Sequence, residues 1–123
     1  MNETFFAPQL YIKRGTKDIS FYVKAFDAIE GRRFTNDDGS IHVAELYIND
    51  AIFHLHEETS PALTGDNDNI KIGLFVPDVD RIMNKAADAG AVLLSPAEDY
   101  DHGYRQGMFR DPFGHCWIIQ KKI

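Results

Sequence analysis

This chain spells out one order of elements twice: strand, helix, strand, hairpin, and then the same series after a polar stretch. Gln9 answers to Lys71 or Gly73, Ala28 to Gly90, and Leu46 to Met108, so corresponding positions lie half the chain apart. The halves share few identical residues; what repeats is order and spacing. One βαβββ unit with one helix cannot cover both faces of its own sheet, so the two units must act together. The expected fold is α+β, with two βαβββ repeats forming curved mixed sheets and the helices on the outer face. It reads as one domain over residues 1–123, with repeat one at about 7–57, a linker at about 58–69 and repeat two at about 70–121. A chain of this length can bury a core.

Local signals set the boundaries. Pro8 to Ile12 alternates apolar and polar as a half-buried strand does. Ile19, Tyr22, Val23 and Phe26 recur at spacings of three and four, which predicts a helix over 17–27. A strand is expected at 30–34, followed by the Asn36-Asp37-Asp38-Gly39 turn. A hairpin of 42–48 and 51–56 then closes through Asn49-Asp50. The polar run from Glu57 to Asn69 lacks periodicity and is rich in breakers. Beyond it come a strand at 70–76, a helix at 79–89 ended by Gly90, and a short strand at 91–94. The last hairpin, 105–110 with 115–120, turns around Asp111-Pro112-Phe113-Gly114.

Strand parity then sorts side chains onto faces. With Asn49-Asp50 as the turn, Glu45 lies opposite His54, Tyr47 opposite Ile52, and Val43 opposite His56. One face carries Ala44, Leu46, Ile48, Phe53 and Leu55, joined by Leu10 and Ile12, and suits packing beneath the helix stripe. The other carries Val43, Glu45, Tyr47, Ile52, His54 and His56, with Ala7, Gln9 and Tyr11 beside them. In the second half Ile72, Leu74, Val76, Trp117 and Ile119 are expected in the core. Lys71, Gly73, Phe75, Arg105, Gly107, Phe109, Cys116, Ile118 and Gln120 are expected on the opposite face. An apolar lining with a few directed polar groups suits a small-molecule pocket, although a solvated sheet face has the same composition.

Composition removes other classes. A net charge of -6 argues against binding a nucleic-acid backbone. The single Cys116 excludes an internal disulfide framework and a thiolate metal cluster. Met1-Asn2-Glu3-Thr4 lacks the basic start of a signal peptide, and no apolar run approaches bilayer length, so a cytoplasmic protein without a membrane partner is expected. His115 and Cys116 are strand neighbours that point to opposite faces, which argues against a nucleophile and base pair. Arg105 is available either to an anionic ligand or to surface pairing with Glu98 or Asp101.

Two segments carry a family resemblance. Ile19-Ser20-Phe21-Tyr22-Val23-Lys24-Ala25-Phe26, followed by a Gly-containing strand, resembles the first helix of the vicinal oxygen chelate superfamily. Gly103-Tyr104-Arg105, with Arg110-Asp111-Pro112-Phe113-Gly114-His115-Cys116-Trp117, resembles that family's closing hairpin. The family includes glyoxalase I, bleomycin-resistance proteins and extradiol dioxygenases, and the resemblance runs from about Pro8 to Gln120. It implies four metal-ligand positions, which fall here on Ala7, His54, Lys71 and Ile118. Two of these have no donor atom and a third is a cation, so the chain more closely resembles the metal-free, bleomycin-resistance-like branch. The resemblance also implies a homodimer.

The resulting expectation is a small-molecule-binding protein without a family-type metal or other cofactor. Its site is expected from Gln9, Tyr11, Glu45, Tyr47, His54, His56, Phe75, Arg105 and Phe109, with no catalytic residue assigned and the balance against an enzyme. The alternative is a lyase or dioxygenase holding one divalent metal on a shifted triad of His54, His56 and Glu45. A further alternative is an interaction module with a vestigial pocket.

Overall fold

A computed structural model describes residues 3–58 and 70–123. The elements are β1 (Gln9–Ile12), α1 (Phe21–Phe26), β2 (Ile29–Thr35), β3 (Ile41–Ile48), β4 (Ala51–Glu57), β5 (Ile72–Phe75), α2 (Val79–Asp88), β6 (Val92–Tyr100), β7 (Tyr104–Arg110) and β8 (Cys116–Lys122). The expected linker lies, apart from Glu58, outside the described residues. Two four-stranded mixed sheets result, ordered β1-β4-β3-β2 and β5-β8-β7-β6. In both, the first and last strands of the repeat pair in parallel. No helix among the described residues is long and apolar enough to cross a membrane.

The chain divides into two compact units, residues 1–18 with 28–65 and residues 19–27 with 66–123. In the first, the β3–β4 hairpin has the register that its turn dictates, from Ile48 opposite Ala51 to Val43 opposite His56. Asn49 takes φ 54, a left-handed angle that Asn tolerates, and this permits the tight connection. Leu10, Ile12, Ala44, Leu46, Ile48, Phe53 and Leu55 are all buried. Burial of each large aliphatic side chain there contributes about 1.5–3 kcal/mol.

The second unit contains both helices. Although α1 lies between β1 and β2 in sequence, its aromatic side chains meet residues of the second half. Phe26 lies 4.8 Å from Trp117, Tyr22 5.8 Å from Phe113, and Phe21 6.0 Å from Phe109, ring centre to ring centre. The expectation that α1 forms one unit with the sheet of its own half is thereby corrected. It is also shorter than expected. The Thr16 carbonyl accepts the Ile41 N–H at 2.8 Å, so the segment before Ser20 is held by β3 and does not extend the helix. Asp27 ends α1 at φ 56, and its carboxylate pairs with Arg81 at 3.1 Å and Lys85 at 2.6 Å on α2. The α2 helix starts on the Asp78 side chain, which accepts the Arg81 N–H at 3.1 Å.

Beneath the helices Asp111 acts as a buried anchor. One carboxylate oxygen accepts the Tyr22 hydroxyl at 2.6 Å and the Trp117 indole N–H at 2.9 Å. The other accepts the backbone N–H groups of Phe113 and His115 at 2.9 and 3.0 Å. Burial, and then the Asp111 charge, push the Tyr22 hydroxyl well above the ordinary tyrosine value.

Candidate functional site

Strand pairing in the first unit assembles three rungs on the face away from the buried core. Tyr11, His56 and Val43 form one, with Phe34 of β2 beyond Val43. Gln9, His54 and Glu45 form the next, and Ile52, Tyr47 and Ile29 the third. Six of the nine expected site residues thus share one surface: Gln9, Tyr11, Glu45, Tyr47, His54 and His56. Phe34, 51% exposed, and Ile29, 71% exposed, extend it with apolar groups. Sequence reasoning missed both, because β2 carries a bulge between Glu30 and Arg33 that breaks simple parity.

Two details shape the polar part. His56 lies 5.9 Å from both the Tyr11 and His54 rings, and its Nε2 is shielded from solvent without a hydrogen bond. Desolvation, followed by repulsion from His54 and His42, pulls its pKa below the ordinary histidine value. Glu45 is held differently: the bulge turns the Arg32 N–H onto its Oε1 at 3.1 Å. Gly31 makes room, since a Cβ there would sit 2.9 Å from Tyr47 Cε2 and 3.3 Å from Glu45 Oε1.

In the second unit the expected face assignment needs correction. Arg110 pairs with Cys116 and Phe109 with Trp117, so Phe109 shares the helix-covered face and is fully buried. Gly107 also faces the helices, because a Cβ on it would lie 2.7 Å from Met83 Cε. Arg105 follows the same parity and is bound by Asp80 at 2.9 Å and Asp99 at 3.0 Å, not by Glu98 or Asp101. Neither Phe109 nor Arg105 is on the open face. The physical cause is loop length: an odd number of residues, Asp111 to His115, separates the paired ends, so opposed residues have equal parity. Phe75 is placed as expected, 54% exposed, with its ring 5.7 Å from Tyr104. Tyr104 continues through His102, at 5.0 Å, to Tyr100, at 5.8 Å, a row of rings not foreseen from the sequence.

The first unit also contains a polar hollow of about 620 Å³ lined by Arg14, Thr35, Asn36, Asp38, Ser40 and Glu57, among others. Asn36 donates to Glu57 at 2.6 Å and, with His42, holds that carboxyl below its usual range. No sequence motif marked this hollow.

The residues present do not fit a family-type metal. Of Ala7, His54, Lys71 and Ile118, only His54 offers a neutral nitrogen ligand. The shifted triad fares no better: among the described residues no three His, Cys, Asp or Glu side chains converge so as to hold an ion. Glu45 turns instead to the Arg32 amide.

Comparisons with known proteins agree with this architecture. Residues 6–119 match the family model of the Glyoxalase/Bleomycin resistance protein/Dioxygenase superfamily. The uncharacterized protein Mb0911c of Mycobacterium bovis is 33% identical over 129 residues, covering 98% of this chain and 85% of its own length. TioX from Micromonospora sp. ML1 superposes with a TM-score of 0.74 at 22% identity, over 98% of this chain and 97% of that one. The genomically encoded fosfomycin resistance protein FosX of Listeria monocytogenes gives 0.75 at 16% identity, over 100% and 96%. These two structural likenesses carry the fold alone. With its repeated βαβββ order and a family match over nearly its whole length, the chain belongs to the glyoxalase/bleomycin resistance protein/dioxygenase superfamily.

Proposed function

We propose that this chain is a homodimeric, cytoplasmic member of the metal-free, bleomycin-resistance-like branch that binds a small organic molecule on the open face of its first sheet. The observation that carries this reading is the register that sets Gln9, Tyr11, Glu45, Tyr47, His54 and His56 on one face, away from the buried core. There Tyr11 and Tyr47 supply aromatic surface, while Gln9, Glu45 and the two histidines supply directed polar groups. The dimer is proposed because Val92, Leu93 and Leu94 leave apolar surface exposed on the edge strand β6, which a second copy would cover.

A thermal-shift screen of metabolites and drugs tests the reading, since a specific ligand in excess raises the melting temperature. At least one compound should stabilise the native protein and lose that effect in His56→Ala and Tyr47→Ala. Hits indifferent to both substitutions would contradict it. A stoichiometric divalent ion in protein purified without chelator, lost in His54→Ala, would overturn the metal-free reading in favour of the metal-dependent alternative.

A further inference from the structure

The rungs of the first sheet distribute charge unevenly. Glu45 is the one carboxylate among the strand residues that the register places on the open face, and none of those residues is Lys or Arg. Its Oε1 is fixed by the Arg32 N–H at 3.1 Å, and no described residue donates to its other oxygen. The carboxylate is therefore preset in direction and still has an oxygen to offer. Its neighbours are mixed: Val43 and Tyr47 flank it along β3, His54 lies opposite on β4, and the exposed Phe34 and Ile29 stand on β2. Gly31 keeps the space beside it clear, since any side chain would press on both Glu45 and Tyr47.

A fixed anion beside π faces favours one ligand chemistry over others. A cation gains from the carboxylate through a charge-assisted hydrogen bond and from the tyrosine rings through their quadrupoles. An anion meets repulsion from Glu45. We propose that the ligand of this face is an organic cation with a planar aromatic body, its charged nitrogen set against Glu45 and its ring against Tyr47. Gly31 is then a positioning residue, acting through the two side chains it leaves room for. The inference rests on the reading of this face as a ligand surface and names the class of molecule it takes.

Three probes of one shape and different charge test it: benzamidine, benzamide and benzoate, titrated into isotope-labelled native protein and followed by NMR. Benzamidine should shift the Tyr47 and His54 signals and bind more tightly than benzamide, with benzoate weakest. Glu45→Gln should cost benzamidine about tenfold in affinity and leave benzamide unchanged. Gly31→Ala, on an exposed edge strand, should weaken benzamidine while leaving the melting temperature within a few degrees of native. Benzoate binding as tightly as benzamidine, or an unaltered preference in Glu45→Gln, overturns the cation and leaves the ligand surface standing. If none of the three probes moves a signal on this face, the cation and the ligand surface fall together.

Discussion

Asp111 collects four donors in the interior, and Tyr22 and Trp117 are tied together through it. Removing the carboxylate strands buried donors, so Asp111→Ala should lower unfolding free energy by about 3 kcal/mol or more in urea titrations. Tyr22→Phe deletes one charge-assisted bond and should cost about 1.5–3 kcal/mol. The raised Tyr22 pKa gives the pH dependence its sign. The unfolded chain releases this proton near the ordinary tyrosine value while the folded chain keeps it. The contribution is thus complete below about pH 10 and declines as pH rises further. His56 works at the other end. Its folded pKa is lowered, so the unfolded chain takes up the proton first and stability falls as pH drops from about 6.5. An NMR titration of the His56 ring, beside denaturation between pH 5 and 8, checks this. A midpoint at or above the free histidine value would contradict it.

Elements differ in how openly their sequences declare them. The β3–β4 hairpin was fully legible, because a two-residue turn and a clean apolar alternation leave one register. The β7–β8 hairpin was not: Asp111 and His115 both belong to the loop, and counting one residue short exchanges the faces. The same slip matched Leu46 with Met108, whereas pairing of Phe53 with Leu46 and of Trp117 with Phe109 makes Phe109 its counterpart. The sequence predicts only a short strand at 91–94, whereas β6 spans Val92–Tyr100. On an edge strand with irregular register, Pro96 needs no ladder donor and the strand runs on to Tyr100. Parity itself is testable. Leu46→Ala should cost about 2–5 kcal/mol, while Tyr47→Ala one residue along should cost far less. Comparable losses would mean that the faces are assigned wrongly. Gly107→Ala should cost about 1–3 kcal/mol through Met83, and Met83→Ala in the same chain should recover part of it.

At the scale of the whole molecule, duplication was readable in the order of elements, and the identical strand orders of the two sheets bear it out. The register also settles that Gln9 answers to Gly73, since the pairs Gln9–His54 and Gly73–Ile118 occupy matching places. What the duplication concealed was the allegiance of α1, because an apolar stripe does not name the surface that it will cover. The open face of the first sheet was legible, because parity was secure there. Its bulge, which aims Glu45 and opens the space at Gly31, left no signal beyond a lone glycine. The proposed dimer should appear in analytical ultracentrifugation and be weakened by Leu93→Glu on β6; a native monomer would refute it. The claim on which the functional account turns is that the ligand lies on the rungs of Glu45, His54 and His56. A crystal structure with the most stabilising screened compound measures this directly. The compound should contact Tyr47, His54 and His56. A compound seated instead in the hollow of Arg14 and Glu57, with the first-sheet face untouched, would contradict the account.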